Sequence, residues 1–189
     1  MNTPLSYRQS GVDYDLIDPL KVAAQRAAAA TATHLQSHGF SEVQASRGES
    51  AYVVDVGPFY LASIVECLGS KALVADAMSQ LTGRSYYDAI AQDTIAMAIN
   101  DLITVGATPL VVQAYWAAGG SGWFGDASRA QALVEGWKRA CDQCQVAWGG
   151  GETPALAGIV ESGRIDLAAS CTGLVNPKPR LTLGEKLGP

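Results

Sequence analysis

Histidine is almost missing from this chain: His34 and His38 are its only two. No Ser/His/Asp set is readable, and no G-x-x-x-x-G-K-[ST] loop occurs, so neither triad chemistry nor a Walker-type loop is signalled. Cysteine is scarce as well, with Cys67, Cys141, Cys144 and Cys171. Cys141 and Cys144 have the C-x-x-C spacing used by zinc and redox sites. There is no second close pair, the histidines lie far away in sequence, and the pair falls in an expected helix. We therefore read them as small apolar residues, and all four as free thiols of a reducing compartment. No apolar run approaches the ~20 residues that span a bilayer. Residues 1–18 lack the charged-then-apolar layout of a signal peptide. A cytoplasmic location with no membrane partner is the expectation. Positive charge is short too: 13 Lys and Arg stand against 18 Asp and Glu, a formal net charge of -5. The basic residues are scattered, so nucleic acid is not expected as a partner. An anionic ligand would need a metal ion, a helix N-terminus or a few well-placed cations.

What is present suits a globular domain. The chain has 189 residues, 48% of them hydrophobic and 16% charged, a balance that can bury a core. Residues 1–15 read as extended and polar. Asp18 and Pro19 have the N-cap and first-position pattern of a helix. That helix runs to about Gln36, with Gly39 as its stop. Residues 41–50 read as loop, and 51–56 as a strand ended by Gly57-Pro58. Residues 59–67 fit helix or strand. Residues 71–76 read as a second strand, ending in the carboxylate of Asp76. Residues 86–105 read as a helix, with Ile90, Thr94, Met97, Asp101 and Leu102 at helical spacing and Gly106 as C-cap. A strand over 110–117, a glycine-rich turn over 119–122 and a helix over 126–145 follow. The last of these has an apolar stripe of Ala127, Ala130, Leu133, Val134, Trp137 and Cys141. A short strand leads to the glycine run at 149–151, and 165–175 reads as the final strand. Strands interleaved with long helices predict an α/β or α+β sheet domain. We expect an extended arm over 1–18, the domain over 19–176, and over 177–189 a connector to a C-terminal domain that this chain lacks.

Two groups of residues carry chemical promise. Asp93, Asn100 and Asp101 lie within two turns of one expected helix and share roughly one face. With Asp76 at a strand end, they offer oxygen ligands to a hard cation such as magnesium. The alternative is a set of solvated helix residues, but Ile95, Ala96, Ile99 and Leu102 surround them. Gly149-Gly150-Gly151-Glu152-Thr153 is the second group. A glycine run lets backbone N–H groups crowd round an anion, and Glu152 follows it directly. An ordinary turn is an equal reading. A third segment, Gly11-Val12-Asp13-Tyr14-Asp15, places two acids around an aromatic ring, as a plain surface or over a site.

These pieces together resemble a known family. Tyr7-Arg8-Gln9-Ser10-Gly11-Val12-Asp13 resembles the Y-x-x-A-G-V-D opening of aminoimidazole ribonucleotide synthetases. Asp93-Thr94-Ile95-Ala96-Met97-Ala98-Ile99-Asn100-Asp101-Leu102, with Gly106-Ala107-Thr108-Pro109-Leu110, resembles their D-x-V-A-M-x-V-N-D-L…G-A-x-P-L segment. Gly150-Gly151-Glu152-Thr153 resembles their G-G-E-T, and residues 166–175 the strand after it. The resemblance covers roughly residues 7–176. It implies a PurM-like N-terminal domain whose strands join those of a twin to form a shared barrel in a homodimer. It also implies a magnesium- and ATP-dependent cyclo-ligase of purine biosynthesis. That enzyme phosphorylates the amide oxygen of formylglycinamidine ribonucleotide so that ring closure can expel phosphate. On the resemblance, Asp76, Asn100, Gly149, Gly150, Gly151, Thr153 and Arg84 would bind ATP and its phosphates, and Asp76, Asp93, Asp101 and Glu152 would hold the metal. The family's phosphate loop, D-G-V-G-T-K, is matched here to Asp76 and the residues after it. In that match both glycines and the lysine are replaced, and Arg84 is a candidate to replace the lost charge, though the two side chains are not interchangeable. The alternatives are another ATP-dependent phosphoryl transferase of the superfamily, which includes thiamine-monophosphate kinase and the hydrogenase-maturation dehydratase, or a non-catalytic dimerisation or nucleotide-sensing module.

Overall fold

The computed structural model describes residues 6–184 and Gly188. The expected arm over 1–5 and the connector residues 185–187 and 189 lie outside the described residues. The chain divides into two compact units, residues 1–42 and 43–189.

In the first unit, a short 3-10 turn, Arg8–Ser10, ends at Gly11, whose φ of +92° needs glycine. Helix α1 (Tyr14–Thr31) follows, and its N-cap is Asp13, whose carboxylate accepts from the Asp15 N–H. The helix therefore begins five residues before Pro19, and residues 14–18 are helical, not an extended arm. The reason is Arg8, which pairs with Asp13 at 2.9 Å and with Asp15 at 2.6 Å and holds the earlier cap in place. The two acids of the 11–15 segment serve this cap. A 3-10 stretch, Ala32–His38, carries the chain to Gly39, the expected stop, at φ +72°. Strand β1 (Ser41–Glu42) closes the unit.

The second unit contributes β2 (Tyr52–Asp55), β3 (Tyr60–Cys67), α2 (Lys71–Thr82), α3 (Tyr87–Thr104), β4 (Thr108–Ala118), α4 (Gly122–Gly125), α5 (Ala127–Cys144), β5 (Ala147–Glu152) and β6 (Ile165–Val175). Its strands lie in the order β2-β3-β6-β4-β5. All neighbours are antiparallel except β4 and β5, which run parallel, so the sheet is mixed. Of the ambiguous residues 59–67, all but Phe59 are strand, because β3 is paired along its length with β6 and over half of it with β2. Residues 71–76, expected as a strand, open a helix instead. Gly69 turns the chain at φ +68°, Ala72, Ala75 and Asp76 are buried at helical spacing, and Gly83 ends α2 with φ +69°. Asp126, expected as the first residue of the helix, is instead the N-cap of α5, its carboxylate accepting from the Arg129 N–H.

The core lies between the sheet and α3 with α5. Trp116 of β4 meets Trp137 of α5 edge-on at 5.3 Å, and Trp148 of β5 closes the cluster at 5.5 Å from Trp116. Cys141 sits in the same core and Cys144 is exposed. Burial pushes the Cys141 thiol up to about 11, so it packs as a neutral apolar group. The glycine run is not a loop but the middle of β5. Gly151 lets this strand approach β4 closely, since a Cβ there would stand 2.0 Å from the Ala114 carbonyl oxygen. Past β6, Lys178 returns to Asp55 at 2.7 Å, and this hydrogen bond lowers the Asp55 pKa. No helix among the described residues is long and apolar enough to cross a membrane.

α3 and α5 cross without room for a side chain at Gly136, where a Cβ would lie 2.4 Å from the Asp88 carbonyl oxygen. Gly136→Ala is expected to destabilise the fold by about 2–3 kcal/mol through overpacking. Gly120→Ala, at a position with nothing within 4 Å, should change it far less. Urea unfolding midpoints of the two variants check this, and equal midpoints would refute the close crossing.

Candidate functional site

Strand alternation along β3 sends Glu66 to the helix side of the sheet, where it reaches α3. Its carboxyl hydrogen-bonds the Asp101 carboxyl, and burial, then the Asp101 charge, raises its pKa above the usual 4.5. The chain then turns through Cys67, Leu68, Gly69 and Ser70 into α2. Leu68 is buried and its N–H donates to the Leu167 carbonyl of β6 at 2.8 Å, which pins the turn to the sheet. Ser70 stands at the N-cap of α2 without a side-chain capping bond. The N–H groups at the start of this helix thus have no side chain of their own cap on them, and the positive end of the helix dipole is open. Lys71, the first helical residue, lies 3.3 Å from Asp93 of α3. Both ends of the 66–71 turn are therefore tied to α3, through Asp101 and through Asp93. Beside Lys71 and Asp93 runs a mostly apolar cavity of about 310 Å³, floored by Val74, Met78, Tyr86 and Ile90.

The residues expected at the site are distributed differently. Continuous helix over α3 does keep Asp93 about two turns from Asn100 and Asp101 on one helix, with Asn100 exposed. Asp76 is not at a strand end. It is a buried residue of α2, with one oxygen accepting from the Tyr87 hydroxyl at 2.8 Å and the other from Arg164 at 2.8 Å. Burial and this hydrogen bond raise the Tyr87 pKa, so the phenol stays a donor. Arg84 lies over the Tyr86 ring at 5.1 Å. Glu152 pairs in register with Tyr115 of β4. Tyr115 alternates with Trp116, which packs on α5, so Glu152 faces away from the helices, on the other side of the sheet from Glu66. Gly149, Gly150 and Gly151 belong to β5, and Thr153 is exposed just past it. The set Asp76, Asp93, Asp101 and Glu152 is not brought together, and among the described residues no group of three His, Cys, Asp or Glu side chains converges on one point. Sequence reasoning missed Glu66 and Lys71. Their signal was Gly69-Ser70-Lys71 beginning three residues after the acid that closes an apolar run.

The raised Glu66 pKa fixes a pH dependence. The folded protein holds the Glu66 proton more tightly than the unfolded chain, so stability falls as pH rises through the folded pKa. Glu66→Gln, which stays neutral, should melt above the natural protein at neutral pH, with the gap closing as pH is lowered toward 4.5. Thermal melts across that window test it, and a gap independent of pH would contradict the shared carboxyl pair.

Residues 48–175 match the family model of the AIR synthase related protein, N-terminal domain. Over 185 residues the chain is 32% identical to the phosphoribosylformylglycinamidine cyclo-ligase of Methanothermobacter thermautotrophicus, covering 98% of this chain and 49% of the relative. The enzyme of the same name from Nitrosococcus oceani is 32% identical over 192 residues, covering 98% and 48%. The chain spans about half the length of the curated relatives it matches. Among solved structures, hydrogenase maturation protein HypE in complex with ATP superposes with a TM-score of 0.52 at 17% identity, covering 71% of this chain and 35% of that one. AaThiL complexed with AMPPCP and TMP gives 0.52 at 16%, covering 67% and 36%. At such identity the likeness is one of fold.

Proposed function

The chain belongs to the AIR synthase related proteins through their N-terminal domain, and from that premise we propose that it is the nucleotide-binding half of an ATP-dependent cyclo-ligase. The reaction is the conversion of formylglycinamidine ribonucleotide to aminoimidazole ribonucleotide in purine biosynthesis. The observation that carries the nucleotide site is the 66–71 turn, with its uncapped helix start, its lysine and its carboxyl pair. The cyclo-ligase relatives, matched over nearly the whole chain, support the reaction.

On this reading the family's D-G-V-G-T-K loop falls on Glu66-Cys67-Leu68-Gly69-Ser70-Lys71, with the glycine, hydroxyl and lysine of its last three positions kept as Gly69, Ser70 and Lys71. Asp76 and Arg84 leave the phosphate site, as do residues 149–153. Phosphate oxygens meet the first-turn N–H groups of α2 and the Lys71 ammonium. The apolar cavity beside Lys71 has the character of a surface for a base or sugar. Magnesium fits the residues present: it is commonly held by one or two carboxylates together with phosphate oxygens, and Glu66 with Asp101 supplies two carboxyls whose mutual repulsion a cation offsets. Bound there, the ion would neutralise phosphate charge. Glu66 and Asp101 would orient it, and Lys71, released from Asp93, would turn to the phosphates.

Calorimetric titration of ATP, with and without magnesium, tests this. Magnesium-dependent binding should weaken about tenfold or more in Lys71→Ala, the scale of one lost charge-assisted contact, and hold in Arg84→Ala. Binding that ignores Lys71, or none at millimolar ATP, refutes the site.

We also propose a homodimer built on the sheet face turned away from α3 and α5. Val65, 68% exposed, and Tyr115, 38% exposed, lie on that face, an unusual position for apolar strand residues. Sedimentation equilibrium is expected to give twice the chain mass of 19.7 kDa, reduced toward one in Val65→Asp. A single-chain mass for the natural protein at micromolar concentration refutes it.

A further inference from the structure

A second polar cavity, of about 450 Å³, opens at the other end of α2. It lies among the C-terminal half of α2, the connection from α2 to α3, the first turn of α5 and the residues before β6. Three of the chain's eight arginines, Arg84, Arg129 and Arg164, line it, against two acids, Asp76 and Asp126, and no lysine. In a protein of net charge -5 this is a local excess of positive charge.

The pairing of these groups is incomplete. Arg164 is matched by Asp76 at 2.8 Å. Asp126 is engaged as the N-cap of α5, accepting from the Arg129 N–H, and stands 3.9 Å from the Arg129 Nε. That Nε is buried and has no hydrogen-bond partner among the described residues, while the rest of the guanidinium lies over the Trp123 ring and donates to the Trp123 carbonyl. Arg84 has its Tyr86 ring contact but no carboxylate partner among the described residues. Hydroxyls stand round the same space. Ser85 Oγ accepts from the Tyr87 N–H and keeps its own proton to donate, and Ser128 sits in the first turn of α5, where the helix dipole favours an anion. Stacking on an aromatic ring restricts a guanidinium's orientation without using its donors, which leaves the Arg84 fork ready for an oxyanion, while Arg129 offers the donors that its bond to the Trp123 carbonyl does not take.

We propose that this cavity is a second site, separate from the 66–71 turn, that binds a small molecule through its phosphate group. Its size lies within the range of about 300–1,000 Å³ usual for small-molecule pockets. Two under-paired guanidiniums with serine donors suit the double charge of a phosphate better than the single charge of a carboxylate. The inference does not depend on the nucleotide reading, because the two sites occupy opposite ends of α2.

The test is a two-dimensional amide NMR titration of the whole chain with inorganic phosphate at constant ionic strength. Saturable shifts are expected at the amides of Ser85, Ser128 and Arg164, with apparent affinity in the millimolar range. Arg84→Gln, a change at an exposed residue, should weaken the response about tenfold, and Lys71→Gln should leave it in place. Arg129→Lys, which keeps the charge but loses the fork, provides a second variant and should weaken it as well. The proposal is overturned by a response confined to Ser70 and Lys71 and lost in Lys71→Gln. It is equally overturned by a response unchanged in Arg84→Gln, by no saturable response, or by acetate binding as tightly as phosphate.

Discussion

Helix α3 sets the register of the larger unit. Tyr87, Ile90, Ala91, Thr94, Ile95, Ala98, Ile99 and Leu102 are buried along it, a stripe that fits the helix between the sheet and α5. The absence of a Cβ at Gly136 lets α5 come down on Asp88, so the helix has little freedom to slide or rotate. Its other side carries Asp93 and Asp101, eight residues or about 12 Å of rise apart. Those two carboxylates grip the two ends of the 66–71 turn. A shift of α3 by one residue would swing both acids off the turn by about 100°. The packing that buries the stripe and the placing of the charged groups are thus one constraint.

Much of this was legible in the sequence. The long elements, α3, β4, α5 and β6, have strong periodicity or long β-branched runs, and each is found within about two residues of its expected position. The error at residues 71–76 is instructive because the run Ala72-Leu73-Val74-Ala75 fits either element by hydrophobicity alone. Length and punctuation decide such cases. Gly69 and Ser70 before the run and Gly83 after it bracket twelve residues, too long for a typical strand here and right for a helix. The misplaced start of α1 has the same origin: Asp18-Pro19 is a good cap by local pattern, but Asp13 is one too, and only Arg8, five residues upstream of it, favours the earlier cap.

The site was less legible than the fold, for a physical reason. Sequence spacing relates residues on one element, and it placed Asp93, Asn100 and Asp101 correctly on one helix. It says nothing about which acid of a neighbouring element faces them. Asp76 and Glu66 were both available, ten residues apart. Strand alternation sends Glu66 toward α3, whereas the helix sends Asp76 toward Tyr87 and Arg164. Glu152 was lost to the same effect in reverse. Its pairing with Tyr115 puts it across the sheet, and no pattern within residues 149–153 records that.

The departures from the family's loop follow from the backbone of the turn. Glycine is needed where φ is positive, and in this turn that is Gly69 alone. Cys67 and Leu68 have ordinary backbone angles, so a side chain at either position costs the backbone nothing. Cys67 ends β3 on the face away from α3, and Leu68 uses its side chain to fill the core and its N–H to hold β6. Glutamate in place of aspartate lengthens the acid by one methylene, and that extra reach is taken up by the contact with Asp101. Each replacement thus keeps the property the turn requires: one left-handed residue, one acid on the α3 side and one cation at the helix start. A phosphate-binding geometry at this place rests on those three properties and not on the letters of the pattern, which is why the proposed site survives a sequence in which four of its six residues have changed.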